Sequence, residues 1–153
     1  MSRATLRTRI SRLAKALANA GFRLDAPFRL KRNKTRLDQF IEFQPGSKWL
    51  CDQFTCNLCW QFALDGSSDD GSYDYSIRIG FLVGNSDLWF AHEPGPELDA
   101  SIDRLRVLLE QRGLPFLDSV GELSEMVRAY EQDSGESGDI IAPASPTFFF
   151  WNR

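Results

Sequence analysis

The sequence predicts an α+β domain: an antiparallel sheet of about four strands, with an N-terminal helix and two later helices packed on one face. Three observations lead there. Apolar residues recur at helical spacing near both ends of the chain, they alternate with polar ones through the middle, and the alternating segments cluster together between the helical ones. The 153 residues, 42% hydrophobic and 25% charged with a net charge of −3, have an ordinary globular balance. A chain of this length removes roughly 68–70% of its unfolded surface from water, so neither disulfides nor a structural metal are needed for folding. No run nears the roughly 18 consecutive apolar residues that a membrane span needs.

The first helix is expected from about Thr5 to Ala20, because Leu6, Ile10, Leu13 and Leu17 form one apolar stripe, and to stop at Gly21, which can take the left-handed conformation that closes a helix. Arg3, Arg7, Arg9, Arg12 and Lys15 with no acid before Asp25 also match the composition of an organelle transit peptide; the stripe favours a packed helix. Phe28 and Leu30 alternate with Arg29 and Lys31, Asn33-Lys34 is a turn, and Arg36 to Gln44 places Leu37, Ile41 and Phe43 on one side, which predicts a hairpin. Phe54, Cys56, Leu58, Trp60 and Phe62 alternate with Thr55, Asn57, Cys59 and Gln61, the signature of a strand with one wet face. After a loop rich in Gly, Ser and Asp, Tyr75, Ile77, Ile79 and Phe81 repeat the pattern.

Pro96 opens a second helix with Leu98, Ile102, Leu105 and Leu109 on one face and acids at its start, and Gly113 with Pro115 should stop it. Ser119 and Glu122 have capping-box spacing for a third helix to about Glu131, with Leu123, Val127 and Tyr130 inward. Residues 1–132 therefore form one domain. Residues 133–153 read as a Ser/Gly-rich linker and an aromatic tail, Phe148 to Trp151, that packs on the domain or on a partner.

The segments from Gly21-Phe22 through Ile41-Glu42-Phe43-Gln44, Gly46-Ser47-Lys48-Trp49 and Phe54-Thr55-Cys56-Asn57-Leu58 resemble the domain-of-unknown-function 4304 family of mainly bacterial proteins. Tyr75-Ser76-Ile77-Arg78-Ile79-Gly80, Asp87-Leu88-Trp89 and Leu114-Pro115-Phe116 are similar to its later segments. The likeness covers about the first 130 residues and excludes the aromatic tail. The family often has two adjacent Trp where this chain has Trp89-Phe90, and an aliphatic residue in place of Cys56. The resemblance implies a small intracellular α+β domain; the family has no assigned activity, so it implies no catalytic residue.

Chemistry-bearing motifs are sparse. Cys56-x-x-Cys59 has redox or half-zinc spacing, but positions i and i+3 of a strand point to opposite faces, so a structural role is favoured for all three cysteines. An odd number of them within nine residues suits a reducing cytoplasm. His92, the only histidine, is expected in a solvated loop. Asp65, Ser67, Asp69 and Asp70 have a calcium-loop flavour, yet Asp70 stands where a Gly is required and Ser76 where a Glu is. No nucleophile elbow, Walker loop or dinucleotide fingerprint occurs, and neither a catalytic residue nor a metal or other cofactor is expected.

Two surfaces remain as binding candidates. If helices cover the apolar sheet face, Gln44, Asn57, Gln61 and Arg78 emerge together on the other side with Trp49 and Trp89 at the rim, a polar floor with aromatic walls that suits recognition of a protein or a small polar ligand. Residues 1–36 carry 11 basic and one acidic residue, so Arg7, Arg9, Arg12, Lys15, Arg29, Lys31 and Arg32 could form a basic patch for nucleic acid. Residues 37–153 carry 7 basic and 20 acidic residues, and a basic helix packed beside acidic ones neutralises itself. A sequence pI near 5.2 weighs the same way. The expected function is a non-catalytic cytoplasmic domain that binds another protein, of the immunity or antitoxin inhibitor type, the alternative being a nucleic-acid-associated module.

Overall fold

The computed structural model describes residues 3–62, 73–84, 88–92 and 95–136. The calcium-like loop and the aromatic tail lie outside them. Helix α1 (Arg3–Ala16) buries Leu6, Ile10, Leu13 and Ala14, the stripe that its spacing implies. A 3₁₀ turn, Ala18–Ala20, ends at Gly21, whose φ of 91° lies in the left-handed region and whose N–H donates to the Ala18 carbonyl.

Among the described residues, six strands form one antiparallel sheet. β1 (Arg23–Ala26), β2 (Arg29–Asn33), β3 (Leu37–Pro45), β4 (Gln53–Phe62) and β5 (Tyr75–Arg78) are neighbours in that order, and the short β6 (Phe90–Ala91) pairs with the start of β4. Since β3 lines one edge of β4 along its length, β5 and β6 must share the other. Cross-strand partners lie on the same face, so the register Leu30–Ile41–Leu58–Ile77 runs one apolar row across four strands. That row, with Leu37, Phe43, Phe54, Trp60 and Ile79, packs against buried residues of the helices: Leu6, Ile10 and Leu13 of α1, then Leu98, Leu105, Leu117 and Met126. Sequence pattern and structure agree on the fold class and on which side of the sheet faces the helices.

Several elements differ from the sequence reading. The sheet gains β1 and β6, whose two to four residues are too short to show a period. β5 ends at Arg78; Ile79–Val83 is a 3₁₀ turn closed by Gly84 at φ 71°, so Phe81 is not a strand residue. Helix α2 (Pro96–Leu108) does not stop at Gly113. It continues through a π turn, Leu109–Gly113, into α3 (Leu114–Ser119). The π turn shifts the carbonyl pairing by one residue, which accommodates the N–H that Pro115 lacks. Gly113 is helical, and a Cβ there would stand 3.0 Å from Leu109 Cδ2 and 3.7 Å from Ile79 Cδ1, so glycine lets the helix approach the turn after β5.

The capping box also fails to form, because Ser119 is the last residue of α3 and its hydroxyl donates to the Phe116 carbonyl at 2.7 Å. Helix α4 (Leu123–Glu136) runs into the stretch read as linker. It turns Met126, Ala129 and Tyr130 to the core, as expected for Tyr130, and leaves Val127 exposed, against the expectation; the side chain of Leu123 lies outside what is described.

Candidate functional site

The far side of the sheet is not the open polar floor that alternation implies. Residues 54–60 of β4 are all buried, on both faces. Tyr73 comes back across the outer face and packs with Phe40 and Cys59 in a second small apolar cluster, its ring 5.3 Å from that of Phe40. Thr55 Oγ1 donates to the Leu88 carbonyl at 2.8 Å, which ties the segment before β6 over the same face. Strand periodicity says that a face is polar, whereas its wetness depends on what folds back over it.

Beneath this cover the register aligns Arg29, Glu42, Asn57 and Arg78 on four adjacent strands. Arg29 holds Asp25 through two charge-assisted bonds, Nε to Oδ1 at 3.0 Å and Nη2 to Oδ2 at 2.8 Å. Tyr73 Oη donates to Glu42 Oε2 at 2.7 Å. Asn57, 6% exposed, donates from Nδ2 to Gln44 Oε1 at 3.0 Å and more weakly to Glu42 Oε1 at 3.4 Å, while its own Oδ1 is buried without a hydrogen-bond partner among the described residues. The Arg78 guanidinium stands 5.4 Å from the Trp89 ring centroid, within cation–π range.

The structure thus brings Gln44, Asn57, Arg78 and Trp89 into one neighbourhood, with Asn57 enclosed there. Gln61 lies at the other end of β4, opposite Asp38. Trp49 lies in the β3–β4 connection. Glu42, Arg29 and Tyr73 belong to the same polar layer, and only Glu42 and Arg29 had a signal, by their alternation with Ile41 and Leu30; nothing local to Tyr73 foretells its return.

The cysteines divide as strand geometry demands. Cys56 lies in the main core, Cys59 in the outer cluster, and Cys51 is exposed. Burial pushes the Cys56 thiol far above its ordinary range, and burial first, then the nearby Cys59 and Glu42, does the same to the Tyr73 phenol. Both groups stay protonated in the fold and ionise in the unfolded chain near their ordinary values of 9.0 and 10.0. Above those values the unfolded state binds fewer protons than the native one, so stability falls as pH rises. Urea midpoints at pH 8 and pH 10.5 should show this fall, and Cys56→Ala should flatten it; a midpoint indifferent to pH would contradict the burial of both groups.

His92 is 2% exposed, not solvated, because it follows directly on β6 and its backbone N–H is held by the Asp52 carbonyl at 2.9 Å. Neither ring nitrogen has a hydrogen-bond partner among the described residues. Among the described residues no group of three or more His, Cys, Asp or Glu could hold a metal ion.

The basic residues do not form one patch. α1 packs on the inner face of the sheet, while Arg29 and Lys31 project from the outer face, 4.8 and 5.5 Å from the Phe40 ring centroid. Arg32 points inward, where it bonds Gln39, the Ala20 carbonyl and Asp118. Arg9 pairs with Asp99 of α2 at 2.8 Å, and Lys31 with Asp38 at 3.6 Å. Of that set, Arg7, Arg12 and Lys15 are exposed on α1.

The β3–β4 connection presents its tryptophan in an unusual way. The Gly46 N–H donates to the Gln53 carbonyl at 2.8 Å, and a Cβ on Gly46 would collide with the Leu50 carbonyl at 2.0 Å. Lys48 has φ 54°, the one non-glycine residue with positive φ among those described, a conformation that costs an L residue about 1–2 kcal/mol. The result is a Trp49 that is 94% exposed. A polar cleft of about 750 Å³ opens elsewhere, between Lys34 and Arg36 beyond β2 and Asp118, Glu122 and Glu125 around the α3–α4 junction. Comparison of the chain with protein-family models, with curated proteins and with solved structures found no match. Among the described residues, no helix is long and apolar enough to cross a membrane.

Proposed function

We propose that this protein is a cytoplasmic binding domain that recognises another protein, acting as an inhibitor of the immunity or antitoxin type. The observation that carries the reading is Trp49, an indole almost wholly in water on a turn whose backbone is strained to hold it there. Tryptophan is the residue type most enriched among the few side chains that dominate protein–protein binding energy. Burying its roughly 200 Å² would contribute up to about 5 kcal/mol before the costs of association. The acidic balance and single-domain size suit an inhibitor that covers a basic partner. Kinship with the domain-of-unknown-function 4304 family belongs to the same proposal and adds no activity to it.

The nucleic-acid reading loses support from the placement of the basic residues, since Arg9, Arg29, Lys31 and Arg32 are each engaged with acids of the same chain. Trp49→Ala is expected to leave the thermal midpoint within about 1 °C, as surface substitutions do. It should weaken by at least about a hundredfold the binding of a protein partner purified from the native host. Unchanged affinity for that partner, or loss of the fold in the variant, would overturn the role of Trp49. DNA affinity that falls steeply with salt would revive the alternative.

A further inference from the structure

The sheet has one edge where a row of main-chain groups meets a cleft and a basic helix. Among the described residues β1 ends the strand order and pairs only with β2, so alternate N–H and C=O groups of Arg23–Ala26 point away from the described strands. Arg23, Leu24 and Asp25 are exposed residues. The Asp25 side chain is nevertheless only 17% exposed, drawn in against Arg29, so what lies open at that position is main chain. Beside this edge a groove of about 330 Å³ runs between α1 and β1, lined by Ala4, Arg7, Thr8, Ser11, Leu24 and Pro27. Leu24 is 42% exposed; its register with buried Leu30 sets it on the helix side of the sheet, where it supplies an apolar contact at the groove.

The helix wall of this groove is basic. α1 carries no acid at all, and Arg7, Arg12 and Lys15 are exposed on it without an ion pair among the described residues. Arg23, in register with Lys31, adds a cation on the outer side of the same edge, without an ion pair among the described residues. An open strand edge beside a helix-walled groove is the geometry of strand addition, in which main-chain bonds give affinity and alternate side chains give selectivity. The cations exclude a basic or uniformly apolar occupant and favour a carboxylate-bearing one.

We propose that β1 and α1 together form a peptide-binding groove, which accepts an extended acidic segment of another protein as an added strand, with an apolar residue of that segment seated against Leu24. The surface is separate from Trp49 and does not depend on it. It gives the basic residues of α1 a ligand other than nucleic acid.

The test is a selection of displayed random decapeptides on the full-length protein, followed by one selected peptide in solution. The expected sequences alternate Asp or Glu with apolar residues. The chosen peptide should slow hydrogen exchange at the β1 amides, lose about tenfold in affinity against Arg7→Glu/Lys15→Glu protein, and lose as much when alternate peptide amides are N-methylated. It should bind Trp49→Ala protein as tightly as wild type. Both α1 substitutions are on an exposed helix face, so an unchanged melting midpoint separates lost binding from lost fold. Selected peptides without acids, binding that survives charge reversal or N-methylation, an empty selection, displacement by duplex DNA, or a dimer formed through β1 would each overturn the proposal.

Discussion

Gln39→Leu is expected to destabilise the protein by about 3–5 kcal/mol, because it leaves a buried cation short of its partners. Gln39 is fully buried on the inner face of β3. Its Nε2 donates to the carbonyls of Leu117 and Val120 at 2.7 and 2.8 Å, and its Oε1 accepts from Arg32 Nε at 2.9 Å and Nη2 at 2.6 Å. One amide therefore stitches the sheet to the end of α3 and holds the guanidinium whose Nη2 also reaches Asp118 at 2.9 Å. Leucine keeps the bulk but offers neither donor nor acceptor, so two Arg32 bonds and two carbonyl contacts are lost together. Against a typical total of about 5–15 kcal/mol, that is a large fraction of the fold's stability. The pair Arg32→Met/Gln39→Leu should recover part of the loss, since removing both members leaves no stranded charge. Urea unfolding of Gln39→Leu, Arg32→Met and the pair forms a double-mutant cycle; a loss below about 1 kcal/mol in Gln39→Leu would show that the network does not bear on stability.

Trp60→Ala should cost a similar amount, about 3–5 kcal/mol, for a different reason. Trp60 is fully buried near the end of β4, with ring centroids 5.0 Å from Tyr75 and 5.8 Å from Phe116, the latter edge to face. Its Nε1 donates to the Val120 carbonyl at 2.9 Å, the same carbonyl that Gln39 engages. Alanine opens a cavity between sheet and helices and frees that bond, whereas Trp60→Phe keeps most of the volume and should lose about 1–2 kcal/mol. Calorimetric midpoints of the two variants provide the comparison. Equal losses would mean that the indole N–H, not the packing, dominates at this position.

These two residues mark how far the chain could be read before its fold was known. Trp60 sits in the clearest alternation of the sequence and faces the helices as that pattern requires. Gln39 obeys the same rule, two residues from Leu37 and two from Ile41, yet its polar side chain conceals that it belongs to the inner face. Its partners Leu117 and Val120 are 78 and 81 residues away, and no local pattern connects them. The candidate site divides in the same manner. Asn57 and Arg78 share the outer face by parity, but the enclosure of Asn57 comes from Tyr73 and the segment before β6. The exposure of Trp49 depends on the tight closure around Gly46, and the groove beside β1 on the angle at which α1 lies against an edge that no other described strand covers.

By itself, the amino-acid order determined the helix-forming stripe of α1, its glycine stop, the strand character of residues 54–62 and the inner face of the sheet, because each follows from backbone periods of 3.6 and 2 acting over neighbouring residues. The tertiary structure alone decided that the outer face is covered, that His92 is buried, that the basic residues part to both sides of the sheet, and that the helix passes through Gly113 unbroken. Those outcomes depend on which distant segments meet, and solvent access and charge pairing are properties of that meeting.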